Sequence, residues 1–370
     1  MAKALKINKN TEEGLLQLLE FLLDSEKVEG IFSLKKLNKN GNIAYSLITN
    51  KDELKGAVPL DPHMPVNAGK ILSHFTLAEK TKRPVAAVLR PCELRAFVEL
   101  IKRAQGSLEN ILLISLSCGG VFPIDTMNNG DAKKRSSSYA ESLKKAENSP
   151  DVRKTCQSCD NFLPQLADMT VLTVGKKDAD KECIIYLNTK QGENFAKDAP
   201  GNTISAEIES SETEKLKSKR KENKEKLFKD FEKTGNGISG FSRVFAACLG
   251  CHGCGEACPI CYCTLCDFDS KTCEYKPESY ESELEHKGGL KIPPGTLFYH
   301  LGRMSHMAVS CVACGMCSDV CPVNIPVADV FTKVGAALQD VFQYSPGKDI
   351  EEPVPSGTFK EEEFKEVGEH

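Results

Sequence analysis

Apolar residues recur along the chain in periods that predict its elements. Behind Thr11-Glu12-Glu13, which caps a helix start, Leu15, Leu16, Leu18, Leu19, Leu22 and Leu23 follow a 3.6-residue period and predict an amphipathic helix packed on a core. Residues 31–37 and 43–48 read as two strands, and Asn40-Gly41 between them favours a hairpin turn. Next, Pro62-His63-Met64-Pro65-Val66-Asn67-Ala68-Gly69-Lys70 opens a helix continued by Ile71, Leu72 and Phe75. A glycine and a lysine at a helix start can hold a phosphate, but no Walker or Rossmann spacing accompanies them, and a capped surface helix is the plainer reading.

The following unit carries more. Residues 84–89 form an apolar strand, 90–93 a turn, 94–104 a helix and 111–117 a second apolar strand ending at Cys118-Gly119-Gly120. This strand-helix-strand order predicts a parallel sheet, with Cys92 and Cys118 just past carboxyl ends of strands, the edge at which open α/β sheets bind ligands. Either cysteine alone is as well explained by a buried free thiol. Residues 125–150, rich in Asn, Gly, Lys and Ser, read as a long loop with at most a short helix. A Cys156-Gln157-Ser158-Cys159 pair follows, then strands at 169–174 and 184–187, with Cys183 an inert buried thiol. Lys and Glu interleave from 207 to 233 as in a solvated linking helix, and 235–240 hinge into a second half. A helix is expected through Phe298–Met307, and a Pro- and Glu-rich tail follows Tyr344 and wraps the surface or frays.

The resulting organisation is an α/β domain with a parallel sheet over 1–205, a charged helical linker over 206–240, a ferredoxin-like two-cluster α+β domain over 241–345 and a tail over 346–370. The chain has 370 residues, 40% of them apolar, enough for more than one core. A formal net charge of -4 leaves no global field for nucleic acid or an anionic membrane, and no apolar run approaches the ~20 residues of a membrane span. With no leader pattern at Met1, a cytoplasmic protein is expected. Seventeen cysteines grouped in C-x2-C clusters suit metal ligation better than a disulfide scaffold.

Two runs decide the chemistry. Cys248-Leu-Gly-Cys251-His-Gly-Cys254-Gly-Glu-Ala-Cys258-Pro259 and Cys311-Val-Ala-Cys314-Gly-Met-Cys317-Ser-Asp-Val-Cys321-Pro322 both show the C-x2-C-x2-C-x3-C-P spacing in which three thiolates hold one 4Fe-4S cube and the fourth crosses to the other. Cys248, Cys251, Cys254 and Cys321 are therefore assigned to one cube, and Cys311, Cys314, Cys317 and Cys258 to the other. Small residues at Gly250, Gly253 and Ala313 allow the loops to curl closely, and Val323, Ile325 and Pro326 are expected to roof one cube. Zinc sites seldom run three such steps in sequence. Nine cysteines remain: Cys92, Cys118, Cys156 and Cys159 form a first candidate tetrad, Cys261, Cys263, Cys266 and Cys273 a second, and Cys183 an orphan. Each tetrad can hold a further cluster, so the count is two 4Fe-4S clusters and up to four; zinc or structural thiols are the other readings of the first tetrad.

These residues resemble the beta subunits of coenzyme F420-reducing hydrogenases and formate dehydrogenases, in a version associated with heterodisulfide-reductase-type complexes. The likeness rests on Leu89-Arg-Pro-Cys92-Glu-Leu-Arg95, on Cys156-Gln-Ser-Cys159-Asp160 with Leu166-Ala-Asp168, on Cys258-Pro-Ile-Cys261-Tyr-Cys263-Thr-Leu-Cys266 and on residues 311–326. It implies an iron-sulfur flavoprotein subunit whose flavin-binding α/β half holds FAD, in contact with Asn67, Gly69 and Lys70. Such a subunit exchanges hydride with a soluble carrier, a deazaflavin or NAD(P), and relays single electrons through clusters to other subunits of a redox complex, of heterodisulfide-reductase-like or formate dehydrogenase type. The family's hydrogenase subunits carry the ferredoxin run before the flavin part, whereas here it follows. No catalytic acid, base or nucleophile is required, and His252, His300 and His306 are expected to pack or hydrogen-bond, His252 being best placed to affect a cluster. A flavin-free relay subunit and a disulfide-type reductase acting at the Cys261–Cys273 group are the alternatives. In all of them the 248–273 stretch is the expected junction at which electrons from the α/β half enter.

Overall fold

The computed structural model describes residues 2–37, 42–126, 132–206, 211–270, 276–288 and 295–358. Eight strands, β1 (Ala2–Ile7), β2 (Gly30–Lys36), β3 (Ile43–Ile48), β4 (Val85–Leu89), β5 (Ile111–Leu116), β6 (Met169–Val171), β7 (Cys183–Leu187) and β8 (Asn202–Ala206), form one sheet in the order β3-β2-β4-β5-β6-β7-β1-β8. Strands β2, β4, β5 and β6 pair in parallel, and every other pairing is antiparallel. The expected parallel sheet is thus the centre of a mixed one. Strands β4 and β5 are buried along their whole length, as a sheet covered on both faces requires. On one face lie Leu15, Leu18, Leu19 and Leu22 of the Thr11–Asp24 helix, in one core with Ile31, Ile114, Met169 and Ile185. On the other lie Leu72 of the Ala68–Ala78 helix and Phe97 and Val98 of the Pro91–Ile101 helix, packed with Ala87 and Leu113.

The β2–β3 hairpin pairs as expected, while its Asn40-Gly41 turn lies outside the described residues. Two segments differ from their sequence reading, and two strands had none. Strands β1 and β8 were not read from the sequence: β1 pairs with β7 and β8 and buries Leu5 and Ile7 in the core of the Thr11–Asp24 helix. The polar segment read as a long loop contains the Ala132–Lys145 helix, anchored by the buried Tyr139, whose hydroxyl donates to Gly120 O at 2.9 Å. The charged Ser211–Gly235 helix is not solvated all round: Thr213, Leu216 and Arg220 are buried against the α/β half. Sparse apolar positions hid that contact because its centre is an arginine.

Beyond Ser211 the described residues form helices and loops with no strand, so the α+β character expected there is not seen among them. Backbone amides in the cysteine loops turn toward thiols instead of forming ladders: Gly250 N donates to Cys248 Sγ at 3.5 Å and Ile325 N to Cys321 Sγ at 3.3 Å. A core of Phe245, Ile260, Met307, Val312, Val327, Val330 and Phe331 packs around these loops and reaches Ala96 of the α/β half. The two halves are joined by buried polar contacts. Glu99 accepts from the Tyr344 hydroxyl and from Gly347 N, Arg95 Nε donates to Pro346 O at 2.7 Å, and Arg153 pairs with Asp319. The start of the tail is therefore packed on the Pro91–Ile101 helix.

Candidate functional site

Three cavities each gather one of the expected groups of four cysteines, and Cys314 of the second group also reaches the third cavity. Cys248, Cys251, Cys254 and Cys321 line one, Cys258, Cys311, Cys314 and Cys317 a second, and Cys92, Cys118, Cys156 and Cys159 a third. Counted with the solvent-open space at their mouths, they are similar in size, ≈ 350, ≈ 430 and ≈ 390 Å³ respectively.

The two ferredoxin-type runs share a backbone device. Gly250 and His252 in the first run, and Ala313 and Gly315 in the second, all have positive φ (66°, 55°, 54° and 81°), at the same offsets from their leading cysteines. This pair of left-handed turns curls each loop so that successive thiols face one cavity. Gly253, expected to provide that freedom, is the first residue of a short helix, and the left-handed position belongs to His252. Such a residue was hidden because histidine gives no composition signal for positive φ.

Burial pushes most of these thiols up: Cys311 to about 11, Cys314 to about 12, Cys156 to about 11, with Cys317, Cys92, Cys118, Cys248 and Cys254 also raised. Four buried thiols around one cavity hold charge only with a compensating cation, which metal supplies. Among the described residues no three ligand side chains close tightly around a single metal ion. Sites sized for a multi-iron group fit the donors and the space.

Buried cations surround the cysteines. Arg90 and Arg220 line the third cavity; Arg220 is 1% exposed and donates to Cys118 O (3.2 Å), Gly119 O (2.7 Å) and Cys159 O (3.4 Å). Arg303 Nη1 lies 3.1 Å from Cys254 Sγ. His300 Nε2 lies 3.5 Å from Cys248 Sγ and the ring stacks on Phe245; burial, then Arg303 and His252, lower its pKa to about 3, so it is neutral. His252, by contrast, stacks on Tyr299 and pairs with Asp269. Val323 and Ile325 line the first cavity with Val327.

The fourth cysteine group is not assembled in the same way. Cys261 lies beside Cys258 and Arg303, its thiol raised by burial to about 11; Cys263 is exposed, Cys266 half-buried, and Cys273 lies outside the described residues. Cys183 is fully buried in β7.

The residues expected to touch a flavin are engaged elsewhere. Asn67 is fully buried and its Oδ1 takes the Gly69 amide at 3.0 Å. A Cβ on Gly69 would stand 2.3 Å from Glu93 O, so this glycine lets two helices approach. Lys70 Nζ donates to Glu256 O at 2.7 Å and Cys261 O at 3.0 Å, tying the two halves together. The Gly69 amide and the Lys70 ammonium are thus both committed within the protein, and neither is offered to a phosphate.

The third cavity also counts Ala313 and Cys314 in its wall, so the α/β tetrad adjoins the second run and not the Cys261–Cys273 group. The second run thus adjoins the α/β tetrad, while the stretch read as the junction meets the α/β half at Glu256 and Cys261 through Lys70. Fold and cysteine arrangement together define a class, α/β proteins joined to cysteine-rich loops that gather thiols in sets of four.

Residues 132–215 match the family described as the C terminus of the beta subunit in coenzyme F420 hydrogenase/dehydrogenase. The chain is 29% identical over 363 residues to the F420-dependent formate dehydrogenase subunit beta of Methanocaldococcus jannaschii, covering 90% of each. It is 29% identical over 384 residues to the F420-dependent formate dehydrogenase 1 subunit beta of Methanococcus maripaludis, covering 92% of each. Among solved structures, it is similar to a chain of the F420-reducing [NiFe] hydrogenase complex from Methanosarcina barkeri, at 14% identity and a TM-score of 0.43 over 65% of this chain and 94% of that one. These matches support the family of coenzyme F420 hydrogenase and dehydrogenase beta subunits for this chain.

Proposed function

We propose that this chain is the electron-relay subunit of an F420-linked redox complex, with an inner pair of cysteine sites meeting at the junction of its halves and an outer site at its surface. The observation that carries this reading is the set of three four-cysteine cavities with common walls: Ala313 and Cys314 line both the α/β cavity and that of Cys258, Cys311 and Cys317. Arg303 lines the latter and donates to Cys254 of the remaining set. When bound, 4Fe-4S clusters supply one-electron storage, and a flavin divides a hydride into single electrons. The twelve cysteines of the three sets provide the ligands. Arg90, Arg220 and Arg303 set buried positive charge against them, and Val323, Ile325, Met307 and Phe331 keep water from the cavities. The loop at Leu249 (60% exposed) and the exposed Cys251 is the face turned to partner subunits, of formate dehydrogenase or heterodisulfide-reductase-like type.

A deazaflavin as carrier is supported by the names of both relatives. FAD is part of this reading as the family resemblance implies it; Gly69 N and Lys70 Nζ already have partners within the protein, whereas Asn67 Nδ2 has none among the described residues. Domain limits near 205, 240 and 345 are kept as the division of labour, with the linker helix serving also as a wall of the α/β site through Arg220. Adding reduced F420 anaerobically to protein reconstituted with iron, sulfide and FAD should bleach the visible absorbance. Full absorbance after reduced F420 and after NADPH would sink the hydride-exchange reading and leave the flavin-free relay.

A further inference from the structure

The Thr296–Met307 helix carries the guanidinium set above against the thiols, at a position that no sequence motif singles out. Arg303 is 2% exposed. Its Nη1 donates to Cys254 Sγ at 3.1 Å and its Nη2 to Cys254 O at 3.0 Å, while its plane faces Phe331 at 4.8 Å and Tyr299 at 5.5 Å. Among the described residues Nε has no hydrogen-bond partner, and no carboxylate pairs with the group. The same side chain lines the cavity of Cys258, Cys311, Cys314 and Cys317. A buried guanidinium without a carboxylate is costly unless another anion faces it. Among the described residues, that role falls to thiols: those of two four-cysteine sets, one reached by a hydrogen bond and the other by the cavity wall, with Cys261 beside them.

We propose that Arg303 is a positioning residue shared by the two sites: a single buried counter-cation that raises the reduction potential of the groups held by both sets, more strongly on the Cys254 side. This inference rests on the cluster reading above. An N–H donor to a ligand sulfur and a nearby positive charge both favour the more negative, reduced form of an iron-sulfur group. Because one cation serves two sites, its removal moves both potentials in the same direction. Its removal also weakens the electrostatic reason for the two sites to stand side by side.

The test is an EPR-monitored potentiometric titration of anaerobically reconstituted full-length chain, with iron and sulfide counted for each variant. The signal of the Cys254 side is identified as the one lost in Cys254→Ala. In Arg303→Met both midpoint potentials should move to more negative values, the Cys254-side signal further, and Arg303→Lys should return part of each shift. Arg303→Met with wild-type iron and unmoved potentials overturns the inference, as does an Arg303→Lys that shifts as far as the methionine variant. Should Arg303→Met fail to keep its iron, retention in Arg303→Lys supports the counter-cation role, and loss in both overturns it in favour of packing. A wild-type chain holding fewer than about eight irons defeats the cluster reading itself, a result distinct from either.

Discussion

The two ferredoxin-type runs have the same spacing and the same pair of left-handed turns, yet the fold puts them in different surroundings. The run at 311–321 is wedged between the α/β half and the Thr296–Met307 helix, and burial drives Cys311 and Cys314 to about 11 and about 12. In the run at 248–258, Cys251 is exposed and Leu249 stands 60% in solvent. Equal motifs thus become an inner and an outer site. Spacing specifies what a loop can hold, and packing decides how deeply it is set.

The largest effect should come from removing a ligand on each side. Cys317→Ala and Cys254→Ala should each lose about one cube's four irons, but the inner variant should also lose more thermal stability, because the contact between the halves is built on that loop. Iron analysis with thermal melts checks this, and equal melts would erase the inner-outer distinction. A chelator should next separate the sites in time. With Cys251 open to solvent, the outer site should release iron first, followed as a biphasic loss of absorbance whose fast phase is missing in Cys254→Ala.

Glu99 tests the joint that makes the inner site inner. It is fully buried and accepts from Tyr344, Gly347 N and Arg103. Burial works against its charge, but hydrogen bonds from Tyr344, Ser310 and Arg103 outweigh it and hold the carboxyl below its ordinary 4.5. The stabilisation is therefore fully present above that value and lost as pH falls through the lowered one. Glu99→Gln should cost about 3 kcal/mol near neutral pH, by denaturant melts, with the gap to wild type closing in acid. A gap independent of pH would assign the loss to packing.

The smallest effect compares the turns directly. Ala313 holds φ at 54° where the other run has Gly250 at 66°. Ala313→Gly should stabilise the loaded protein by about 1 kcal/mol and Gly250→Ala should cost about as much, read from melts; equal signs would contradict the shared backbone device.

Much of the site was legible because cysteine spacing reports a loop's reach: all twelve cysteines of the three cavities group as their spacing and strand positions implied. What was not legible depends on contacts distant in sequence. Arg303 and Arg220 look like ordinary helix arginines until the fold buries them beside thiols. Asn67, Gly69 and Lys70 look like a phosphate cradle until Glu93, Glu256 and Cys261 take up the space and the donors. In the sheet, the apolar runs of β4 and β5 announced themselves, whereas β1 and β8 offered no such run and show themselves in their pairing and, for β1, in the burial of Leu5 and Ile7.

Whether the chain fills three four-cysteine sites and not two is tested most directly by iron and acid-labile sulfide counts on the anaerobically purified chain beside its Cys156→Ala/Cys159→Ala variant. Three filled sites predict about twelve irons in the wild type and about eight in the variant. About eight in both, or zinc in place of iron, would contradict it.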